Sequence, residues 1–210
     1  MKIAIIGTGN VGSAIARGLR GKGHDIVFGV RAIDAAEVRT LAEDTGSRLA
    51  SPVMAAAESQ MVILALPWNA VESVAKELGD LDGKVVLDCT NPLGMVDGEL
   101  RLVVGHVSSG GERVQAWLPQ ARVIKSLNQV GAELMADNSQ LPHRPVMFMA
   151  GNDDAAKAMV AALLTDLGFE PLDAGDIAKS RLLEPFGMTW INQALFRGKG
   201  RNWAFATISG

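Results

Sequence analysis

Tyrosine is absent from the 210 residues, cysteine occurs once (Cys89) and histidine three times (His24, His106, His143). Each scarcity excludes chemistry. Without Tyr, a reductase mechanism built on a Tyr-x-x-x-Lys pair has no proton donor. A single thiol rules out intrachain disulfides and cysteine-rich zinc sites. Three scattered His leave no metal-ligand spacing of the His-x-x-x-His kind, so no metal site is expected. No excess of positive charge is present either: 20 Lys plus Arg face 23 Asp plus Glu, for a net charge of −3. That balance argues against a nucleic-acid or membrane-surface partner, which would want a basic stripe. The apolar run from Met61 to Leu66, closed by Pro67, is far too short to cross a bilayer. The chain opens Met1-Lys2 and runs straight into a strand pattern with no charged leader, and with one thiol the expected location is cytoplasmic. What is plentiful is apolar residues, 48% of the chain against 20% charged, enough for a proper core. So sparse a set of reactive side chains suggests that a bound cofactor carries the chemistry.

The first half alternates strand and helix patterns, the signature of a parallel sheet with helices on its faces. Unbroken apolar runs at Ile3–Ile6, Ile26–Phe28 and Met61–Leu66 suit strands covered on both sides. Between them, Val11–Leu19, Ala35–Asp44 and Val53–Ala57 read as helices, and Ala70–Leu78 follows the third run. Lys84–Asp88 and Arg122–Leu127 read as further strands, with a helix over Glu112–Leu118. Residues 93–111, rich in Gly and Ser, read as a mobile loop. Later come a strand at Pro145–Ala150, a helix at Asp153–Leu167, a strand at Phe169–Leu172, and a long helical stretch over Asp176–Arg197. Pro185 and Gly187 are expected to break or bend that stretch. The pattern predicts an α/β, Rossmann-type doubly wound, mostly parallel sheet. Residues 1–150 would form a dinucleotide-binding domain, with 151–210 an α/β annex packed on it.

Gly7-Thr8-Gly9-Asn10-Val11-Gly12 is a complete Gly-x-Gly-x-x-Gly run. Its placement, directly after a buried strand and opening an amphipathic helix, is what makes it informative. Gly7 permits the tight turn, Gly9 lets the backbone approach a pyrophosphate, and Gly12 allows close packing of helix on strand. Main-chain N–H groups at the helix start then meet the phosphate charge. At the end of the second strand an NAD enzyme usually carries an acid for the ribose hydroxyls. Here the sequence is Phe28-Gly29-Val30-Arg31, with no carboxylate until Asp34. Arg31 supplies a planar fork suited to a 2′-phosphate, which favours NADP; the competing reading is a solvated or capping Arg.

Pro67 and Trp68 end a strand at the carboxyl edge, where open α/β sheets bind ligands. Trp68 either covers the cofactor or belongs to the core or an interface. Asn91, in Thr90-Asn91-Pro92, either hydrogen-bonds ribose or carboxamide or simply makes an Asn-Pro turn. The Ser126–Gly131 segment should reach the nicotinamide end, making Asn128, Val130 and Gly131 candidates for holding the ring or its partner. Cys89 reads as a buried inert thiol, and Lys125 as a strand residue that snorkels. His106 and His143 fall in loops.

These motifs resemble the NADP oxidoreductases that work with a deazaflavin (coenzyme F420), and the reductase domain of the STEAP metalloreductases is similar. The likeness is carried by Lys2–Gly12, Gly23-His24-Asp25, Gly29-Val30-Arg31 and Ile63–Trp68. It continues through Asn91-Pro92-Leu93, Asn128–Met135, Leu172–Gly175 and Arg181–Pro185. The resemblance implies an NADP-binding Rossmann domain, usually in a homodimer, and hydride transfer between nicotinamide and a flavin-like ring. It places Thr8, Asn10 and Val11 at the pyrophosphate, and Arg31, preceded by Val30, at the 2′-phosphate. Leu66, Pro67 and Trp68 fall along the cofactor, with Asn128 and Val130 beside the nicotinamide. Departures are Val30 in place of a hydroxyl residue, Ala32 in place of a second Arg, and Asn128 and Gly131 in place of His and Pro.

The expectation is therefore an NADPH-dependent reductase passing hydride to a flavin, deazaflavin or similar small-molecule acceptor, with no catalytic side chain identified. A flavin-type ring delocalises incoming charge, so no tyrosine or acid pair is required. The alternatives are a small carbonyl or imine reductase drawing its proton from water or His106, and a non-catalytic NADP(H)-sensing module.

Overall fold

The structure, a computed structural model, describes residues 1–208. One eight-stranded sheet organises them. In chain order its strands are β1 (Lys2–Ile6), β2 (Asp25–Gly29), β3 (Arg48–Ala50), β4 (Met61–Leu64), β5 (Val85–Asp88), β8 (Arg122–Lys125), β9 (Val146–Gly151) and β10 (Glu170–Asp173). Two more, β6 (Leu93–Val96) and β7 (Glu99–Leu102), form a separate hairpin. The helices are α1 (Asn10–Gly18), α2 (Ala36–Thr45), α3 (Pro52–Glu58), α4 (Trp68–Glu77), α5 (Gly110–Trp117), α6 (Ala132–Ala136), α7 (Asp154–Asp166) and α8 (Ser180–Ile191). The spatial order of the sheet is β10-β9-β8-β5-β4-β1-β2-β3. Every pairing is parallel except β8 with β9. This is a Rossmann-type, mostly parallel α/β fold.

Strand alternation explains why both faces are apolar. Ile3, Ile5, Phe28, Ile63 and Leu87 face one way, onto residues of α1, α2, α6 and α7. Ala4, Ile6, Val27, Leu64 and Val86 face the other way, onto α3, α4 and α5. A side chain on either face is therefore removed from water, and a charge there must find a partner.

The structure corrects several expectations. Residues 93–111 are not an unstructured loop: β6 and β7 pair across Asp97-Gly98, both with positive φ (52° and 79°). Positive φ at both central residues is the turn geometry that matches strand twist, which is why Asp-Gly signals a hairpin. The segment ends by entering α5 at Gly110, whose N-cap Ser109 accepts a hydrogen bond from the Glu112 N–H at 3.2 Å. Helix α8 runs through Pro185 without a break; the missing N–H forfeits only the bond to the Arg181 carbonyl one turn back. Strand β3, a three-residue edge strand, and helix α6, a short turn after Gly131, are too brief to show a period. Beyond α8 the tail is tied back by Trp190 Nε1–H donating to the Trp203 carbonyl (2.9 Å) and by the Val146 N–H donating to Phe205 (2.9 Å).

Candidate active site

From β1 the chain winds outward through β2 to β3, then crosses back to β4 on the other side of β1. The carboxyl ends of β1 and β4 are thus the switch point where such sheets open a crevice. Gly7 turns there with φ of 115°, and a Cβ on it would collide with the Ala65 carbonyl oxygen arriving from β4. A Cβ on Gly12 would strike the Gly7 carbonyl, whereas Gly9 faces open space with no atom within 4 Å. Two contacts need glycine for closeness, and the middle one leaves room. Gly9 caps α1 without a side-chain hydrogen bond, and the first turn of α1 holds no acid. The opening N–H groups and the positive end of the helix therefore stay available to an anion.

Two cavities flank this turn and share Leu66. The larger, about 320 Å³, lies towards β2 and is lined by Gly7, Thr8, Val30, Arg31 and Leu66, with Glu37, Pro52 and Glu77 opposite. Its size and position suit an adenosine half. The smaller, about 220 Å³, is lined by Gly9, Asn10, Val11, Ala65, Leu66, Pro67 and Cys89. Burial pushes the Cys89 thiol well above its ordinary range, with the nearby Asp88 charge adding to it, so the thiol stays neutral. The smaller cavity is thus walled by backbone, apolar side chains, one amide and a neutral sulfur. The free helix start between two clefts fits a dinucleotide, which Thr8, Asn10 and Val11 would hold at its diphosphate and Arg31 at the adenosine end.

The remaining predicted residues do not line these cavities. Trp68 opens α4, and its ring leans on Trp117 with centroids 5.6 Å apart. Asn128 is buried and its amide is committed: Nδ2 donates to Asn91 Oδ1 (2.9 Å) and to the Leu183 carbonyl (3.0 Å). Its Oδ1 accepts from Gln129 Nε2 at 2.8 Å. Asn91 Nδ2 donates back to the Asn128 carbonyl (2.9 Å). The two asparagines lock the loops after β5 and β8 to each other and to α8. Val130 is a core residue, and Gly131 caps α6. His106 is exposed and His143 is exposed. Among the described residues, no cluster of three or more His, Cys, Asp or Glu is arranged to hold a metal.

A buried charge network was not anticipated. Lys125 does not snorkel: its side chain is 0% exposed, with Nζ 3.0 Å from Asp88 Oδ2 and 3.0 Å from Glu184 Oε1. It also donates to the Thr90 carbonyl at 2.5 Å. Burial alone would lower the Lys125 pKa, but the two carboxylates outweigh it and hold the ammonium above its usual range. Glu184 further accepts from the Gly110 and Gly111 N–H groups (2.9 and 3.0 Å), so the start of α5 offsets the second negative charge. Asp88 Oδ1 accepts from the Thr90 N–H and hydroxyl (2.9 and 2.7 Å). The network welds α8 and α5 to the loop after β5, at the edge of the smaller cavity. The sequence signal is limited to a charged residue closing each of two apolar strands, Asp88 in β5 and Lys125 in β8; the register that sets them opposite each other belongs to the fold.

A Rossmann sheet with an uncapped glycine turn at its switch point has the geometry of a dinucleotide-binding protein, and comparison with known proteins makes the class that of the NADP-dependent oxidoreductases. The family model described as "NADP oxidoreductase coenzyme F420-dependent" matches residues 2–92. A crystal structure from Arthrobacter sp. FB24, described as a candidate F420-dependent NADP-reductase, is 33% identical, covers 100% of both chains and superposes with a TM-score of 0.90. The chain belongs to this coenzyme F420-dependent NADP oxidoreductase family. The crystal structure of a hypothetical protein, SMa0349 from Sinorhizobium meliloti, is 27% identical with a TM-score of 0.75, covering 86% of this chain and 88% of that one. Metalloreductase STEAP3 of Rattus norvegicus is 25% identical over 185 residues, 87% of this chain. The match spans 36% of STEAP3, about a third of that protein. Among the described residues no helix is long and apolar enough to cross a membrane.

Proposed function

We propose that this chain reduces a flavin, deazaflavin or similar ring acceptor with NADPH. The observation that carries the reading is the lining of the smaller cavity: Val11, Leu66 and Pro67 are apolar, and Cys89 is a neutral thiol. Bound across the glycine turn, NADP(H) would supply or accept the hydride. The protein's part is to fix the dinucleotide, keep water from the reacting face, and hold the surrounding loops still. Carbonyl reduction leaves an alkoxide that needs a proton from a positioned acid, whereas a flavin-type ring spreads the charge itself. Lys125, at the end of β8, is fully buried and its ammonium is held by three acceptors, so it is not free to serve as a proton donor.

The same reading takes residues 1–150 as the NADP-binding domain and 151–210 as an annex unable to fold alone, since Glu184 completes a network inside the first part. A homodimer in the cytoplasm belongs to the proposal through the family resemblance and the single thiol. The test follows NADPH consumption at 340 nm by purified protein, with FMN, FAD and a deazaflavin against carbonyls and cyclic imines. Turnover is expected with one or more ring acceptors. Turnover confined to carbonyls or imines refutes the proposal, as does tight NADPH binding with no turnover on any acceptor.

A further inference from the structure

We propose that Glu77 sets how strongly the 2′-phosphate is selected, by competing with it for Arg31. This rests on the reading that the larger cavity takes the adenosine end of NADP(H). The charged residues lining that cavity are Arg31, Glu37 and Glu77, one guanidinium against two carboxylates. Arg31 Nη2 lies 3.9 Å from Glu77 Oε2, with the two side chains 72% and 65% exposed. Contact at that length and exposure is loose and reversible.

The position of Glu77 is itself unusual. It is the last residue of α4, at the negative end of the helix, where a carboxylate is disfavoured. The neighbouring Lys76 gives it no help, being paired with Glu72 at 2.5 Å. Arg31 is the cation that Glu77 meets. A phosphate monoester brings nearly two negative charges, so at Arg31 it meets the Glu77 carboxylate as a neighbouring like charge as well as the guanidinium. Part of the attraction of the guanidinium is cancelled before the cofactor arrives. NADH, which lacks this group, does not meet that repulsion. Glu77 therefore narrows the gap between the two cofactors below what a lone arginine would produce.

The experiment is a set of equilibrium titrations with NADPH and NADH on the wild type, Glu77→Gln and Arg31→Ala, each at low and high salt. Glu77→Gln is expected to tighten NADPH roughly threefold at 0.05 M salt, fading towards no effect near 1 M, with NADH unchanged. Arg31→Ala should weaken NADPH at least tenfold and leave NADH alone. If Glu77→Gln leaves NADPH affinity unmoved, or tightens NADH equally, while Arg31→Ala behaves as stated, the inference falls and the placement of the phosphate stands. If Arg31→Ala leaves NADPH affinity intact, the adenosine end is not in this cavity, and both fall together.

Discussion

Replacing Lys125 with Met tests whether the buried network is as tightly coupled as its geometry implies. Met roughly preserves the length of the side chain and removes its charge, leaving Asp88 and Glu184 facing each other at 0% and 1% exposure. Removing one partner of a buried ion pair costs about 3–5 kcal/mol, because the other charge is left without compensation. Two N–H groups at the start of α5 still serve Glu184, and Thr90 still serves one oxygen of Asp88, so the lower half of that range is expected. At this chain length that is a fall of roughly 10 °C in Tm. Urea unfolding followed by tryptophan fluorescence reads the same loss directly. Asp88→Asn should cost stability in the wild type yet recover at least ~1 kcal/mol in the Lys125→Met background, since it then removes a charge without a partner. A Lys125→Met loss below ~1 kcal/mol, or strict additivity of the two substitutions, would refute the account. The sign with pH follows from the raised Lys125 pKa. Its contribution is complete below the ordinary lysine value of 10.5 and disappears as pH climbs through the higher folded-state value.

Gly7→Ala drives a methyl group into the Ala65 carbonyl at a φ that side chains avoid; thermal melts should show a loss above ~2 kcal/mol, and NADPH titration should show no binding. At low pH the Arg181–Glu112 pair matters. The Arg181 hydrogen bonds, aided by Ser109, hold the Glu112 carboxyl below its usual value of 4.5. That stability is present above pH 4.5 and is lost as pH falls through the lower folded value, so Arg181→Ala should flatten this part of an acid unfolding curve. Asn128→Ala strips partners from Asn91 and from the Leu183 carbonyl. A cost of about 1–3 kcal/mol is expected in chemical denaturation, whereas an unchanged midpoint would mean that the asparagine lock is not formed in solution.

Most of the sheet was legible because its signals are local. Apolar runs of three to six residues ended by Gly or Pro mark β1, β2 and β4, and the glycine spacing reports the turn that joins β1 to α1. The first half of the crevice was legible for the same reason: Gly7 to Gly12, Arg31, Leu66 and Pro67 lie just beyond recognisable strands. The β6–β7 hairpin was equally local, but its Asp97-Gly98 turn was masked by the surrounding glycines and serines. Asn91, Trp68 and Asn128 are a different case, since none of them lines the two cavities. Asn128 and Trp68 have the chemistry of ligand contacts, and only their neighbours decide whether that chemistry is spent internally.

By itself, then, the amino-acid order determined what depends on period and on the conformational needs of single residues: an α/β winding, a glycine turn opening α1, a cation just beyond β2, and no tyrosine-based proton relay. The tertiary structure decided what depends on residues far apart in the chain. It placed Glu184 against Lys125 and Asp88, faced Glu77 towards Arg31, and closed Asn128 upon Asn91 and Leu183. Such pairings join segments separated by tens of residues, and electrostatic and hydrogen-bond energies depend on distance in space, which no local pattern encodes.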